Sequence, residues 1–150
     1  METNNTVQIL LVEDDEVDVM AIRRAFAKHR IANPIIHARD GMEAMEVLRG
    51  SGGHALLARP YLILLDLNMP RMNGIEFLED LRADPVLHDS VVFVLTTSIA
   101  DRDIVAAYEK HIAGYLVKGK VGEGFLSLVT MLDHYWRYVE LPPDRGCNAP

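Results

Sequence analysis

Four short stretches rich in Val, Ile and Leu punctuate the chain: Val7–Val12, Tyr61–Leu65, Val91–Leu95 and Gly114–Val117. Pro34–Ala38 is a weaker fifth, shorter and less apolar. Continuous rather than alternating runs of Val, Ile and Leu predict strands covered on both faces, as in a parallel sheet. Between them, apolar residues recur at helical spacing. Val17, Ala21, Ile22, Ala25 and Phe26 share one face, and Met42, Met45 and Leu48 the next. Ile75, Leu78 and Leu81 form a third stripe, and Ile104, Ala107, Tyr108 and His111 a fourth. Phe125, Leu128, Val129, Leu132, Trp136 and Val139 form the fifth, the longest and most regular. Asp15 followed by Asp18 reads as an N-cap with its reciprocal partner, and Gly41, Gly74 and Gly122 punctuate other loop–helix joins.

Strand and helix therefore alternate five times, which predicts βα units. The fold class expected is α/β: a doubly wound, five-stranded parallel sheet of flavodoxin type with helices on both faces. Residues 1–6 are expected to be a disordered N-terminus, 7–139 one domain, and 140–150 a Pro-rich tail. Gly50–Pro60 is the one long connection.

Composition narrows the class. With 150 residues, 49% apolar and 25% charged, the chain suits one globular domain of ordinary size. A net charge of −7 has the wrong sign for a general nucleic-acid binder. The polar start carries no secretory signal and no apolar run approaches a membrane span, so a cytoplasmic protein without membrane contact is expected. The single cysteine, Cys147, excludes an internal disulfide.

In such a sheet, ligands bind beyond the carboxyl ends of the strands. Glu13-Asp14-Asp15 follows the first strand, Asp66-Leu67-Asn68-Met69-Pro70 the third, Thr96-Thr97-Ser98 the fourth, and Lys118 ends the fifth. Glu13, Asp14 and Asp66 would crowd negative charge, which is costly unless a cation joins them. Carboxylate oxygens suit a hard ion such as Mg²⁺. A carboxylate is also a competent nucleophile towards phosphorus, and a metal, an ammonium and a hydroxyl can neutralise a transferred phosphoryl group. These residues point to phosphorylation of Asp66. Taken singly, each has a plainer role: helix-start acids for Glu13 and Asp14, a turn former for Asp66, β-branched strand ends for Thr96 and Thr97, a solvated charge for Lys118.

The segments Ile9-Leu10-Leu11-Val12-Glu13-Asp14, Leu65-Asp66-Leu67-Asn68-Met69-Pro70-Arg71-Met72-Asn73-Gly74, Leu95-Thr96-Thr97-Ser98 and Gly114-Tyr115-Leu116-Val117-Lys118 resemble the receiver domain of two-component response regulators. The resemblance spans residues 7 to 139 with its motifs in order and in the usual spacing. It implies that Asp66 accepts a phosphoryl group from a histidine of a partner kinase. Glu13, Asp14 and Asp66 would hold Mg²⁺ with the Asn68 backbone carbonyl. Lys118 would pair with the phosphoryl oxygens, Thr96 would bond to them, and Tyr115 would turn inward with Thr96 as a switch, or else serve as a plain core aromatic. The long Gly50–Pro60 connection and the Tyr135–Pro143 ending are similar to receivers that serve bacterial and cyanobacterial phytochromes, which implies a bacteriophytochrome-type sensor histidine kinase as partner. One departure is Gly119, where receivers usually carry proline after the lysine.

Tyr135, Trp136, Tyr138, Val139 and Leu141 cluster where the last helix runs out of its own core, so a homodimer or partner surface is expected there. The alternative is packing onto the chain's own sheet. The six histidines are scattered, and none is read as a ligand or phospho-carrier. Two other functions compete. A phosphatase of the haloacid dehalogenase type would want a second Asp two positions after the nucleophile, where Asn68 stands. A receiver that never takes phosphate is favoured only by Gly119. The reading adopted is a phosphoacceptor with no output domain in the chain and no turnover of an external substrate.

Overall fold

The structure, a computed structural model, describes residues 6–28, 30–67, 73–96, 100–117, 131, 134–135 and 141–143. Strand and helix alternate as β1 (Gln8–Val12), α1 (Glu16–Lys28), β2 (Ile35–Ala38), α2 (Gly41–Arg49), β3 (Tyr61–Leu65), α3 (Gly74–Ala83), β4 (Val91–Thr96), α4 (Asp101–Glu109) and β5 (Gly114–Val117). The five strands form one parallel sheet in the order β2-β1-β3-β4-β5. This is the doubly wound arrangement expected. The residues of the fifth apolar stripe and Gly122 lie outside the described residues; of that stretch Met131, His134 and Tyr135 are described, all helical. Among the described residues, no helix is long and apolar enough to cross a membrane.

The unbroken hydrophobicity of the strands has a direct cause, because successive side chains enter different cores. Leu10, Val12, Ile63, Leu65, Val92 and Val94 join Ala44, Met45, Leu48, Phe77, Leu78, Leu81 and Ala107 under α2, α3 and α4. Their neighbours Ile9, Leu11, Leu62, Leu64, Phe93 and Leu95 join Val19, Ile22 and Phe26 of α1 on the other face. Loop residues Leu57, Leu67 and Leu87 complete the first cluster, which periodicity alone does not reveal.

Three helical stripes are corrected. Val17 is 71% exposed, and α1 buries Val19, Ile22 and Phe26 instead. Met42 is also exposed, while Ala44, Met45, Val47 and Leu48 are buried. A first-turn neighbour is buried in each helix, Val19 in α1 and Gly41 in α2, so the packed face is turned away from Val17 and Met42. Tyr108 and His111 likewise point outward, and His111 lies past the end of α4 in a left-handed conformation at φ 59°.

The helix starts follow local chemistry. Asp15 accepts from the Val17 N–H at 2.9 Å, the capping role expected of it, and donates its own N–H to Glu13 Oε1 at 3.1 Å. Asp40 caps α2 through the Glu43 N–H at 2.9 Å. Asn73 and Glu76 form a reciprocal capping box on α3.

Candidate functional site

The chain leaves β1 for β2 on one side and returns to β3 on the other, so the topological switch point falls between the carboxyl ends of β1 and β3. Val12 and Leu65 are register partners there, and the Asp66 N–H donates to the Val12 carbonyl at 3.0 Å. The ladder thus sets Glu13 and Asp66 side by side as the first residues past their strands. Carboxylate oxygens of Glu13, Asp14 and Asp66 lie within 4.8 Å of one another. Glu13 is 1% exposed and Asp66 7%, whereas Asp14 faces solvent. Thr96 closes β4 beside them and is fully buried.

Gly74 supports this geometry. Its N–H donates to the Leu67 carbonyl at 2.8 Å, which presses the start of α3 against the exit of β3. A Cβ there would meet Leu67 Cα at 2.5 Å and the Asp66 carbonyl at 3.0 Å, so only glycine allows this approach.

Glu13 is held on several sides. Its N–H donates to the Ala38 carbonyl of β2 at 3.0 Å, and its carboxylate takes the Asp15 N–H. The ring of His37 lies 2.6 Å from the Glu13 carbonyl through Nε2. A carbonyl oxygen only accepts, so Nε2 carries the hydrogen. Sequence reading passed over His37 as one of six scattered histidines. The available signal was its place one residue before the end of β2, the strand beside Glu13.

Of the other expected site residues, Tyr115 is half-buried, pairs in register with Val94, and packs against the α2–α4 core. Tyr135 stacks edge-on against Phe93, with ring centroids 5.0 Å apart at 88°, and burial pushes its hydroxyl pKa up. Leu141 packs on the same α1-side core, so these two serve their own sheet and are only partly covered by it. Asn68, Thr97, Ser98, Lys118, Gly119, Trp136, Tyr138 and Val139 lie outside the described residues.

The acidic trio passes a simple chemical test for a divalent cation. Its donors are all oxygen, they converge within one coordination sphere, and two of three come from rigid strand ends.

A parallel 2-1-3-4-5 sheet with acids at its switch point and a buried threonine closing the next strand defines a receiver domain. The chain matches the response regulator receiver domain family over residues 9–127 and belongs to that family. It is 36% identical over 135 residues to response regulator Rcp1 of Synechocystis sp., covering 90% of this chain and 92% of that protein. The crystal structure of the Mn²⁺-bound form of Rcp1 superposes with a TM-score of 0.80, covering 91% of this chain and 99% of the other. The crystal structure of the phosphorylated cyanobacterial phytochrome response regulator RcpA is 38% identical, also with a TM-score of 0.80, and covers 91% and 98%. The bacteriophytochrome response regulator AtBRR is 29% identical with a TM-score of 0.73, covering 93% and 99%.

Proposed function

We propose that Asp66 is the phosphoacceptor of this receiver, charged by a sensor histidine kinase. The observation that carries the reading is the convergence of the Glu13, Asp14 and Asp66 carboxylates at the switch point, beside buried Thr96. An Asp66 carboxylate oxygen attacks the phosphorus of a phosphohistidine. A P–O bond forms as the P–N bond breaks, and the leaving imidazole keeps the electron pair and gains a proton. Hydrolysis reverses the charge state: water attacks phosphorus, inorganic phosphate leaves, and the carboxylate returns.

Glu13, Asp14, Asp66 and the Asn68 carbonyl would hold Mg²⁺. Such an ion supplies neutralisation of the charge gathered on the phosphoryl oxygens. Lys118, next in sequence after Val117, pairs with those oxygens. The Thr96 hydroxyl bonds to them when its loop draws in, and Tyr115 follows as the switch. The change is a shift between two packings, biased by contacts made in only one of them.

Residues 7–139 act as the receiver, with 1–6 and 140–150 as appendages. The kinase is of the phytochrome type, a reading supported by the phytochrome response regulators among the relatives. The chain pairs as a homodimer with the Tyr135–Leu141 segment at or near the interface and works in the cytoplasm through protein contacts, without turnover of an external substrate.

Acetyl phosphate labelling with Mg²⁺ on a phosphate-retarding gel tests the chemistry. A Mg²⁺-dependent shift, lost in Asp66→Asn and cleaved by hydroxylamine as an acyl phosphate is, supports the reading. No shift with acetyl phosphate or with any phytochrome kinase would leave a receiver that takes no phosphate.

A further inference from the structure

We infer that His37 is a positioning residue for the cation site, acting through the backbone of Glu13; this rests on the reading of Glu13 and Asp14 as ligands. The Glu13 carbonyl and the Asp14 N–H belong to one rigid peptide plane. Holding that carbonyl therefore constrains both Glu13 ψ and Asp14 φ, and with them the direction in which the Asp14 side chain leaves the chain. The hold is close, at 2.6 Å from Nε2 to oxygen.

His37 is suited to the task. Its backbone is locked in the β1–β2 ladder opposite Leu11, so the ring is delivered from a rigid strand. It is half-buried, where a hydrogen bond competes less with water. The N–H of Glu13 is already tied to β2 through the Ala38 carbonyl at 3.0 Å. The ring adds a second tie from the same strand, on the other side of the Glu13 Cα. Asp14 is the exposed member of the trio, so its direction depends most on the backbone that carries it. Groups that orient metal ligands from behind typically contribute roughly 10–100-fold in affinity.

The test uses the full chain with Mg²⁺ alone as probe, followed by calorimetry, and compares His37→Leu with His37→Gln, whose amide nitrogen reaches about where Nε2 stands. His37→Leu is expected to bind Mg²⁺ about tenfold more weakly. Its acetyl phosphate labelling should fall at limiting Mg²⁺ and recover at saturation. His37→Gln should restore most of the affinity, which a merely structural role would not require. Equal Mg²⁺ affinity in His37→Leu and wild type overturns the inference, and so does a loss in His37→Gln as large as in His37→Leu.

A measurement on the wild type guards against misfolding of the variants. In a long-range ¹H–¹⁵N spectrum, the His37 Nε2–H signal should shift on Mg²⁺ addition, and a signal indifferent to Mg²⁺ overturns the inference. Failure of the wild type itself to bind Mg²⁺ would instead overturn the cation site, and the role of His37 with it.

Discussion

At the amino end of the sheet, Arg82 of α3 donates to four carbonyls: Lys110 at 2.7 Å, His88 at 2.7 Å, Ser90 at 2.7 Å and His111 at 2.9 Å. Beside it the Tyr61 and Ser90 hydroxyls bond at 2.6 Å, and Arg59 meets Asp89 at 2.7 Å. At the carboxyl end, three carboxylates are drawn within 4.8 Å of one another. Both ends contain buried polar groups, yet one matches donors with acceptors and the other gathers like charge. Matched groups stabilise a fold, whereas gathered carboxylates suit a cation and a phosphoryl group better than they suit folding alone. The matched polar network and the proposed phosphoacceptor site thus lie at opposite ends of the same strands.

Asp66→Asn gives the largest effect on this contrast. It should abolish labelling by acetyl phosphate completely, while raising the melting temperature in metal-free buffer by about 2–4 °C as one crowded charge is removed. A substantially lowered melting temperature would break the picture of an acidic end that costs stability. Arg82→Met should do the reverse. Stripping the donor from four carbonyls should cost about 3 kcal/mol by denaturant titration, with labelling below the melting point unchanged. A cost under about 1 kcal/mol would mean that water replaces the guanidinium easily.

Added Mg²⁺ should stabilise the wild type by about 1.4 kcal/mol at roughly ten times its dissociation constant, read as a thermal shift. That shift should vanish in Asp66→Asn if the third carboxylate is a ligand. The smallest effect concerns pH at the structural end. Burial works to raise the pKa of Asp84, but the Val86 and Leu87 N–H groups and Arg49 outweigh it and hold the carboxyl below its ordinary range. A depressed pKa contributes stability that is present above the unfolded value and lost as pH falls through the folded one. The stability gap between wild type and Asp84→Asn should therefore narrow below about pH 4. A gap independent of pH would remove Asp84 from the acid limb.

Strand positions and their parallel pairing were legible because a strand buried on both faces needs unbroken hydrophobicity, as Tyr61–Leu65 does. Glu13 and Asp66 were legible because each follows such a run directly, and Asp14 because it adjoins Glu13. Val17 and Met42 were misplaced because spacing marks a helical stripe but not which of its edges turns to the core. His37 and Arg82 escaped notice for another reason. Each bonds to backbone carbonyls, which every residue has, so no pattern of side chains announces the partner.

What the sequence determined by itself is the alternation of βα units, the two-sided burial of the strands and the acids at their carboxyl ends, all properties of local order along the chain. The tertiary structure supplied the register, Val12 against Leu65, that makes neighbours of Glu13 and Asp66, fifty-three positions apart. It also decided that His37 holds the Glu13 carbonyl and Arg82 the turns at the other end. Such contacts follow from strand order and crossover geometry, which place distant backbone groups within hydrogen-bond reach, and local sequence does not encode them.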